Sequence, residues 1–344
     1  MDWLQLASSL LVILGGAELF TNGVEWIGEG FGLSEGVVGS VLAAVGTALP
    51  ETLLPLVAIL SGHVAGDEIG IGAILGAPFM LTTLAMVVIA VTVLVAARGG
   101  RRPKELDFDR RVVRQDLGYF LVMYSLAVVA GLLDVGAIDV MLAVVLVVGY
   151  GYYVRRHFQA SPDSESSNSG VEVKPLYVWG WFALVKKDLI GWSKDASIVA
   201  PFVQVVLALG AIIGGAQLFI GAVDGIAERF GVPPLAFTLL VAPVATELPE
   251  KFNSVLWVRR RKDTLALGNM TGAMVFQSSF PVTIGLLLTP WRLAHEALVA
   301  ALIALAAGLV LYATVRFRGR LTARLLLLQG VFYVFYVTYV ATKF

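Results

Sequence analysis

Two carboxylates stand in apolar surroundings, and each directly follows a proline. The first lies in VGTALPETLLPLVA, residues 45 to 58, as Pro50-Glu51; the second lies in VATELPEKFNSVLW, residues 244 to 257, as Pro249-Glu250. Thr47 and Thr246 precede these glutamates by four residues and so share their helical face. Proline lacks an amide hydrogen and crowds the carbonyl four residues back, at Gly46 and Ala245, so each helix is expected to break there. Carbonyls freed inside a bilayer need partners, and broken membrane helices commonly give theirs to cations or water. Carboxylate, hydroxyl and carbonyl oxygens are hard donors, suited to Ca²⁺, Na⁺ or Mg²⁺ rather than to soft metals. The plainer alternative is that proline and threonine only shape a kink while each glutamate snorkels to water. Finding the pattern twice weighs against it.

The second centre carries more charge than the first. Glu247 stands three residues before Glu250, on about the same face, and Lys251 follows at once. A charged residue in the middle of a membrane helix costs about 2.5 to 3.5 kcal/mol on insertion scales, so such groups must pair or work. Two readings of Lys251 stand side by side. It is either a structural ion-pair partner of Glu247 or Glu250, or a tethered ammonium in the place of a transported monovalent cation.

These centres belong to a chain of 344 residues that is 58% hydrophobic and 15% charged, with a mean hydropathy of +0.83. That is more apolar surface than the polar residues can cover in water, and it predicts an all-α polytopic membrane protein. A span needs roughly 20 apolar residues. Ten segments fit, at about 3–26, 34–61, 69–96, 116–133, 136–154, 198–226, 233–258, 265–289, 293–315 and 322–341. With no cysteine, thiolate metal sites are excluded. His63, His157 and His295 lack ligand spacing and read as loop or interface residues. The start, MDWLQ, is acidic and runs into an apolar stretch without a small-residue cleavage site, so it reads as a first span.

Lys and Arg are segregated. The connection after span three holds Arg98, Arg101, Arg102, Lys104, Arg110, Arg111 and Arg114; further basic groups follow spans five, seven (Arg259 to Lys262) and nine (Arg316, Arg318, Arg320, Arg324). Together these connections hold 21 of the 25 basic residues, all on one face. The positive-inside rule makes that face cytoplasmic and puts both termini outside, as expected for a plasma membrane of prokaryotic type. Residues 156–197 form a polar, Ser-rich linker followed by a Trp- and Lys-containing stretch that suits an interfacial helix. They separate an N-terminal half, 1–155, from a C-terminal half, 198–344.

The halves share an internal repeat. At an offset of 199, Gly15 to Glu51 aligns with Gly214 to Glu250 without a gap, and 16 of the 37 positions are identical, Thr47/Thr246, Pro50/Pro249 and Glu51/Glu250 among them. Five spans separate equivalent positions, so the copies enter the membrane from opposite sides. Inverted repeats of this kind characterise secondary transporters, whose substrate site lies near the midplane between the copies.

GTALPE and ATELPE, each followed by a Gly-rich span (GIGAILGA from Gly70, LGNMTGA from Leu267), resemble the two alpha repeats of the cation/Ca²⁺ exchanger superfamily. There the motif reads G-T-S-L-P-E with a following G-N-x-x-G-S-N. The resemblance covers roughly residues 3–96 and 198–289. It implies ten transmembrane helices in two inverted five-helix repeats with Pro-broken helices 2 and 7. It also implies that Glu51 and Glu250 are the central cation-binding carboxylates, with Thr47 and Thr246 beside them. The activity implied is antiport of a divalent cation, Ca²⁺ first, against Na⁺ or H⁺, without any cofactor. The partners implied are the lipid bilayer and small inorganic cations, not nucleic acid.

The departures carry information too. In the family a Ser and, four residues on, an Asn or Asp complete the cation sites in helices 3 and 8. Here those positions are Ala77 and Leu81, and Ala273 and Gln277. Thr82, Thr83, Ser278 and Ser279 lie nearby at a different helical phase, and Glu247 replaces the motif's Ser. Several Na⁺ ions demand many oxygens, whereas proton coupling needs only carboxylates, and the reduced ligand set shifts weight towards H⁺. A channel or sensor on the same scaffold is the competing reading. An intramembrane enzyme is disfavoured by the lack of G-x-S-G, paired intramembrane aspartates or H-E-x-x-H.

Overall fold

The computed structural model describes residues 2–31, 43–100, 102–133, 135–160, 176–177 and 199–344. The linker at 161–175, most of the expected interfacial helix at 178–198, the start of the second expected span and the Thr47 side chain lie outside the described residues. Before the linker come α1 (Asp2–Gly30), α2 (Ala43–Leu60), α3 (Gly66–Thr82), α4 (Leu84–Arg98), α5 (Arg110–Leu133) and α6 (Gly136–Ala160). After it come α7 (Val199–Phe230), α8 (Pro234–Thr246), α9 (Leu248–Arg259), α10 (Asp263–Gln277), α11 (Phe280–Leu288), α12 (His295–Ala313) and α13 (Ala323–Lys343). Among the described residues eight helical segments are long and apolar enough to cross a bilayer, α3 with α4 and α10 with α11 each counting as one; Ala48–Leu60 and Pro234–Val244 are shorter. The protein is a helical, polytopic membrane protein, as its composition requires.

Small residues let the long helices α1 and α7 touch. A Cβ on Gly16 would lie 2.7 Å from Ile212 Cγ1 and 3.1 Å from the Ala208 carbonyl; one on Gly215 would lie 2.9 Å from Ile13 Cγ1 and 3.2 Å from the Ser9 carbonyl. Such approach is how helices associate in lipid, where no hydrophobic force drives them together. Side-chain amides fasten both ends, Gln5 Nε2 donating to Leu218 O at 3.0 Å and Gln204 Nε2 to Leu19 O at 2.8 Å. The helices therefore run antiparallel, and every one of these contacts maps onto its counterpart at the offset of 199. The Gln5/Gln204 pair extends the repeat ten residues upstream of Gly15.

Two further spans are broken, one with no proline beside the break and one with Pro281 in the turn that follows it. At Thr83 (φ −114°, ψ −86°) α3 gives way to α4, and at Ser279 (φ −119°, ψ −72°) α10 gives way to α11. Hydroxyls hold the breaks. Thr83 Oγ1 donates to Phe79 O at 2.6 Å, Thr82 Oγ1 to Pro78 O at 2.8 Å, Ser279 Oγ to Val275 O at 2.8 Å and Ser278 Oγ to Val275 O at 3.0 Å. Back-bonding of this kind satisfies carbonyls that the interrupted ladder leaves free.

The break expected at Pro50 is absent. Helix α2 runs from Ala43 to Leu60 through both Pro50 and Pro55. A proline forfeits one ladder bond, and in a membrane its neighbours can re-satisfy the freed groups without ending the helix.

On one face, three of the basic connections meet. Arg102 grips Asp263 through Nη1–Oδ1 at 2.8 Å and Nη2–Oδ2 at 2.6 Å, joining the connection after α4 to the start of α10. Glu105–Leu106 (β1) pairs antiparallel with Leu321–Thr322 (β2), joining it also to the connection before α13. Arg102 and Asp263 are both buried. Asp263→Ala would leave the guanidinium unpaired, and a loss of about 3 to 5 kcal/mol is expected. A large fall in the thermal unfolding midpoint of the purified protein checks this; a fall within error contradicts it.

Candidate functional site

The expected break in the seventh span is present and sits at Glu247. Helix α8 ends at Thr246 and α9 begins at Leu248, with Pro249 in its first turn, where a missing amide hydrogen costs nothing. Glu247 occupies the cap position (φ −92°, ψ 9°) and is fully buried. Glu250 and Lys251 follow in the first turn of α9, and Glu51 enters from α2; all three are 6–7% exposed. Glu247, Glu250 and Lys251 thus share one helix break, while Glu51 lies buried on α2.

Their polar atoms are poorly satisfied. Both oxygens of Glu51, both of Glu247, Glu250 Oε2 and Gln277 Oε1 are buried without a hydrogen-bond partner among the described residues. Lys251 Nζ lies 3.4 Å from Glu247 Oε2, an ion-pair separation that lacks hydrogen-bond geometry. Its one good hydrogen bond goes to the Pro243 carbonyl, at 3.0 Å. A carbonyl at a helix break and a carboxylate are the ligands a monovalent metal cation would choose, and the ammonium takes them. The sequence pointed to the Ala245 carbonyl and missed Pro243. No proline marks that carbonyl, since Pro243 affects the carbonyl four residues earlier, at Leu239, and the Pro243 carbonyl still accepts the Glu247 amide at 3.3 Å.

Gln277 is buried at the end of α10, its Oε1 without a hydrogen-bond partner among the described residues. Thr246 is buried, but its hydroxyl donates to Ala242 O at 3.3 Å, leaving only its lone pairs for a cation. Thr82, Thr83, Ser278 and Ser279 donate to carbonyls of their own helices, as described above. Asn269 fixes α9 against α10: its Nδ2 donates to the Glu250 carbonyl at 3.2 Å and to Ser254 Oγ at 3.3 Å. The Glu250 backbone is therefore held by a neighbouring helix while its side chain stays free to bind.

Among the described residues no three His, Asp or Glu side chains are gathered as a ready metal site. The histidines lie apart, His63 Nε2 3.6 Å from Asp224 Oδ2 and His295 Nδ1 2.7 Å from the Tyr339 hydroxyl. What these elements offer is a set of buried carboxyl oxygens on α2, at the α8/α9 break and on α9.

Known proteins resemble the chain over most of its length. CaxA of Alkalimonas amylolytica is 25% identical over 282 residues, 82% of this chain and 79% of that protein. The crystal structure of the H⁺/Ca²⁺ exchanger CAX superposes with a TM-score of 0.71 at 17% identity, over 97% of this chain and 81% of that one. The sodium-calcium exchanger NCX_Mj superposes with a TM-score of 0.54 at 19% identity, over 98% and 97%. At such identities the superpositions establish the fold. The family described as sodium/calcium exchanger protein matches residues 1–158 and 200–343, and the chain belongs to that family.

Proposed function

We propose that the protein is a secondary cation antiporter that exchanges Ca²⁺ for protons by alternating access, with Glu51, Glu247 and Glu250 as the cation-binding carboxylates. Thr47 and Thr246 supply further oxygens, Gln277 tunes Glu247, and Lys251 is a tethered cation. The frame is ten crossings in two inverted halves, 1–155 and 198–344, with the basic face cytoplasmic and both termini outside. The antiparallel α1/α7 pair with reciprocal contacts at the 199 offset supports the inversion, as do the matching breaks at Thr83 and Ser279.

One observation carries the reading: both oxygens of Glu51, both of Glu247 and Oε2 of Glu250 are buried without a hydrogen-bond partner among the described residues. Burying unpaired carboxylates is costly, and a cation recovers that cost. Three carboxylates against one ammonium leave two negative charges, which one Ca²⁺ or two monovalent cations neutralise. The carboxylates are not preassembled as a metal site, so binding draws α2 and α9 together, and that movement couples occupancy to access. Protons fit as the counter-ion because Na⁺ sites need many oxygens, whereas Ala77, Leu81 and Ala273 carry none in their side chains and protons need only the carboxylates.

Purified protein in sealed vesicles should take up Ca²⁺ when a proton gradient alone is imposed. Uptake driven by a Na⁺ gradient and indifferent to collapse of the pH gradient would overturn proton coupling. Ca²⁺ flux with no obligatory counter-flow would indicate a channel.

A further inference from the structure

Away from the carboxylate centre, five arginines converge on a cavity of about 270 Å³. Arg110, Arg111 and Arg114 come from the first turns of α5; Arg316 and Arg318 come from a π-helical turn, Thr314–Arg318, that ends the α12 span. No acidic side chain lines the cavity. Among the described residues none of the five guanidinium groups forms an ion pair, and the nearest acid on α5's side, Asp109, is engaged, its Oδ1 accepting the Arg111 amide at 2.7 Å. Five like charges around one cavity repel one another, and an anion placed among them relieves all five.

The cavity is also shaped. Gly319 adopts the left-handed region (φ 64°), and its amide closes the π turn on Thr314 O at 3.2 Å. A Cβ there would sit 2.6 Å from Arg110 Nη1, so the bare backbone leaves room for that exposed guanidinium. Arginine recognises phosphate through paired N–H donors, which a lysine cannot do.

Position decides which phosphate. Arg110 is the first residue of one membrane span and Arg318 the last of another, so the cavity opens at the membrane boundary. Beside it Phe317 is 82% exposed, with Arg316 Cζ 5.7 Å from its ring centroid. An exposed aromatic next to basic groups suits the headgroup layer, not open water. We infer that this arginine cavity is a binding site for the phosphate of an acidic phospholipid in the surrounding leaflet. A soluble phosphate ester shares the chemistry but gains nothing from Phe317.

The test is native mass spectrometry of the full-length protein, released from micelles containing equal phosphatidylglycerol and phosphatidylcholine of matched chains. Phosphatidylglycerol should be retained about tenfold over phosphatidylcholine, the size expected when several arginines meet one anionic headgroup. The double variant R110Q/R316Q should bring that preference to parity, and R114Q/R318Q, using equally exposed residues, should act alike. R259Q/R260Q, on the same basic face but outside the cavity, should leave it unchanged. Equal retention of the two lipids by the wild type, an equal loss in R259Q/R260Q, or displacement of phosphatidylglycerol by millimolar inorganic phosphate would each overturn the assignment.

Discussion

Glu51→Gln and Glu250→Gln should each lower Ca²⁺ exchange by at least about 100-fold while leaving the protein folded. A divalent cation about 4 Å from a carboxylate gains roughly 8 kcal/mol at an effective dielectric near 20. Even if desolvation returns two-thirds of that, about 2.7 kcal/mol remains, which is a factor of about 100 in affinity. The same substitutions remove a buried carboxylate whose oxygens lack full partnering, so thermal stability should hold or rise. Activity lost with stability retained is the pattern of a site that trades stability for function. The readout is ⁴⁵Ca²⁺ uptake in vesicles together with the unfolding midpoint. Full activity in either variant would refute the site.

Lys251→Met tests the charge count. With the ammonium gone, three carboxylates have no internal cation, and a third monovalent ion is needed to balance the empty state. Wild-type exchange should be electroneutral, its rate indifferent to a membrane potential clamped with K⁺ and valinomycin. The variant should become voltage-dependent. Removing one partner of a buried pair also costs about 3 to 5 kcal/mol, so the variant will be less stable. Glu247→Gln combined with Lys251→Met restores the count of two negative charges and should recover both stability and electroneutrality. If Lys251 is only a structural partner of Glu247, the single variant loses stability while its exchange stays indifferent to voltage.

Much of this was legible in the chain. The spacing of the apolar runs and the clustering of basic residues anticipated a helical membrane protein whose basic connections share a face, and Arg102–Asp263 and the β1/β2 pair bring three of those connections together. The paired Pro-Glu centres drew attention to Glu51 and Glu250, both of which are buried. The Gln5/Gln204 bonds were open to the same self-alignment, carried ten residues further upstream.

Other features resisted sequence reasoning for physical reasons. Proline signals a lost hydrogen bond, not the fate of the helix. At Pro50 the helix continues, whereas at Pro249 the break falls two residues earlier, at Glu247. No proline or glycine adjoins the break at Thr83, whereas Pro281 stands two residues after Ser279 as Pro249 does after Glu247, and that proline was the available signal. Lys251 is legible as a buried charge, but which carbonyl it binds depends on where α8 ends.

The central claim is that Glu51, Glu247, Glu250 and Lys251 form one site that holds either one Ca²⁺ or two protons. Proton release on adding Ca²⁺ to the purified, lightly buffered protein tests it most directly, because metal binding to such ligands must displace their protons. The account predicts release approaching two protons per Ca²⁺ bound, abolished in Glu51→Gln and Glu250→Gln. Stoichiometric Ca²⁺ binding without proton release would contradict it.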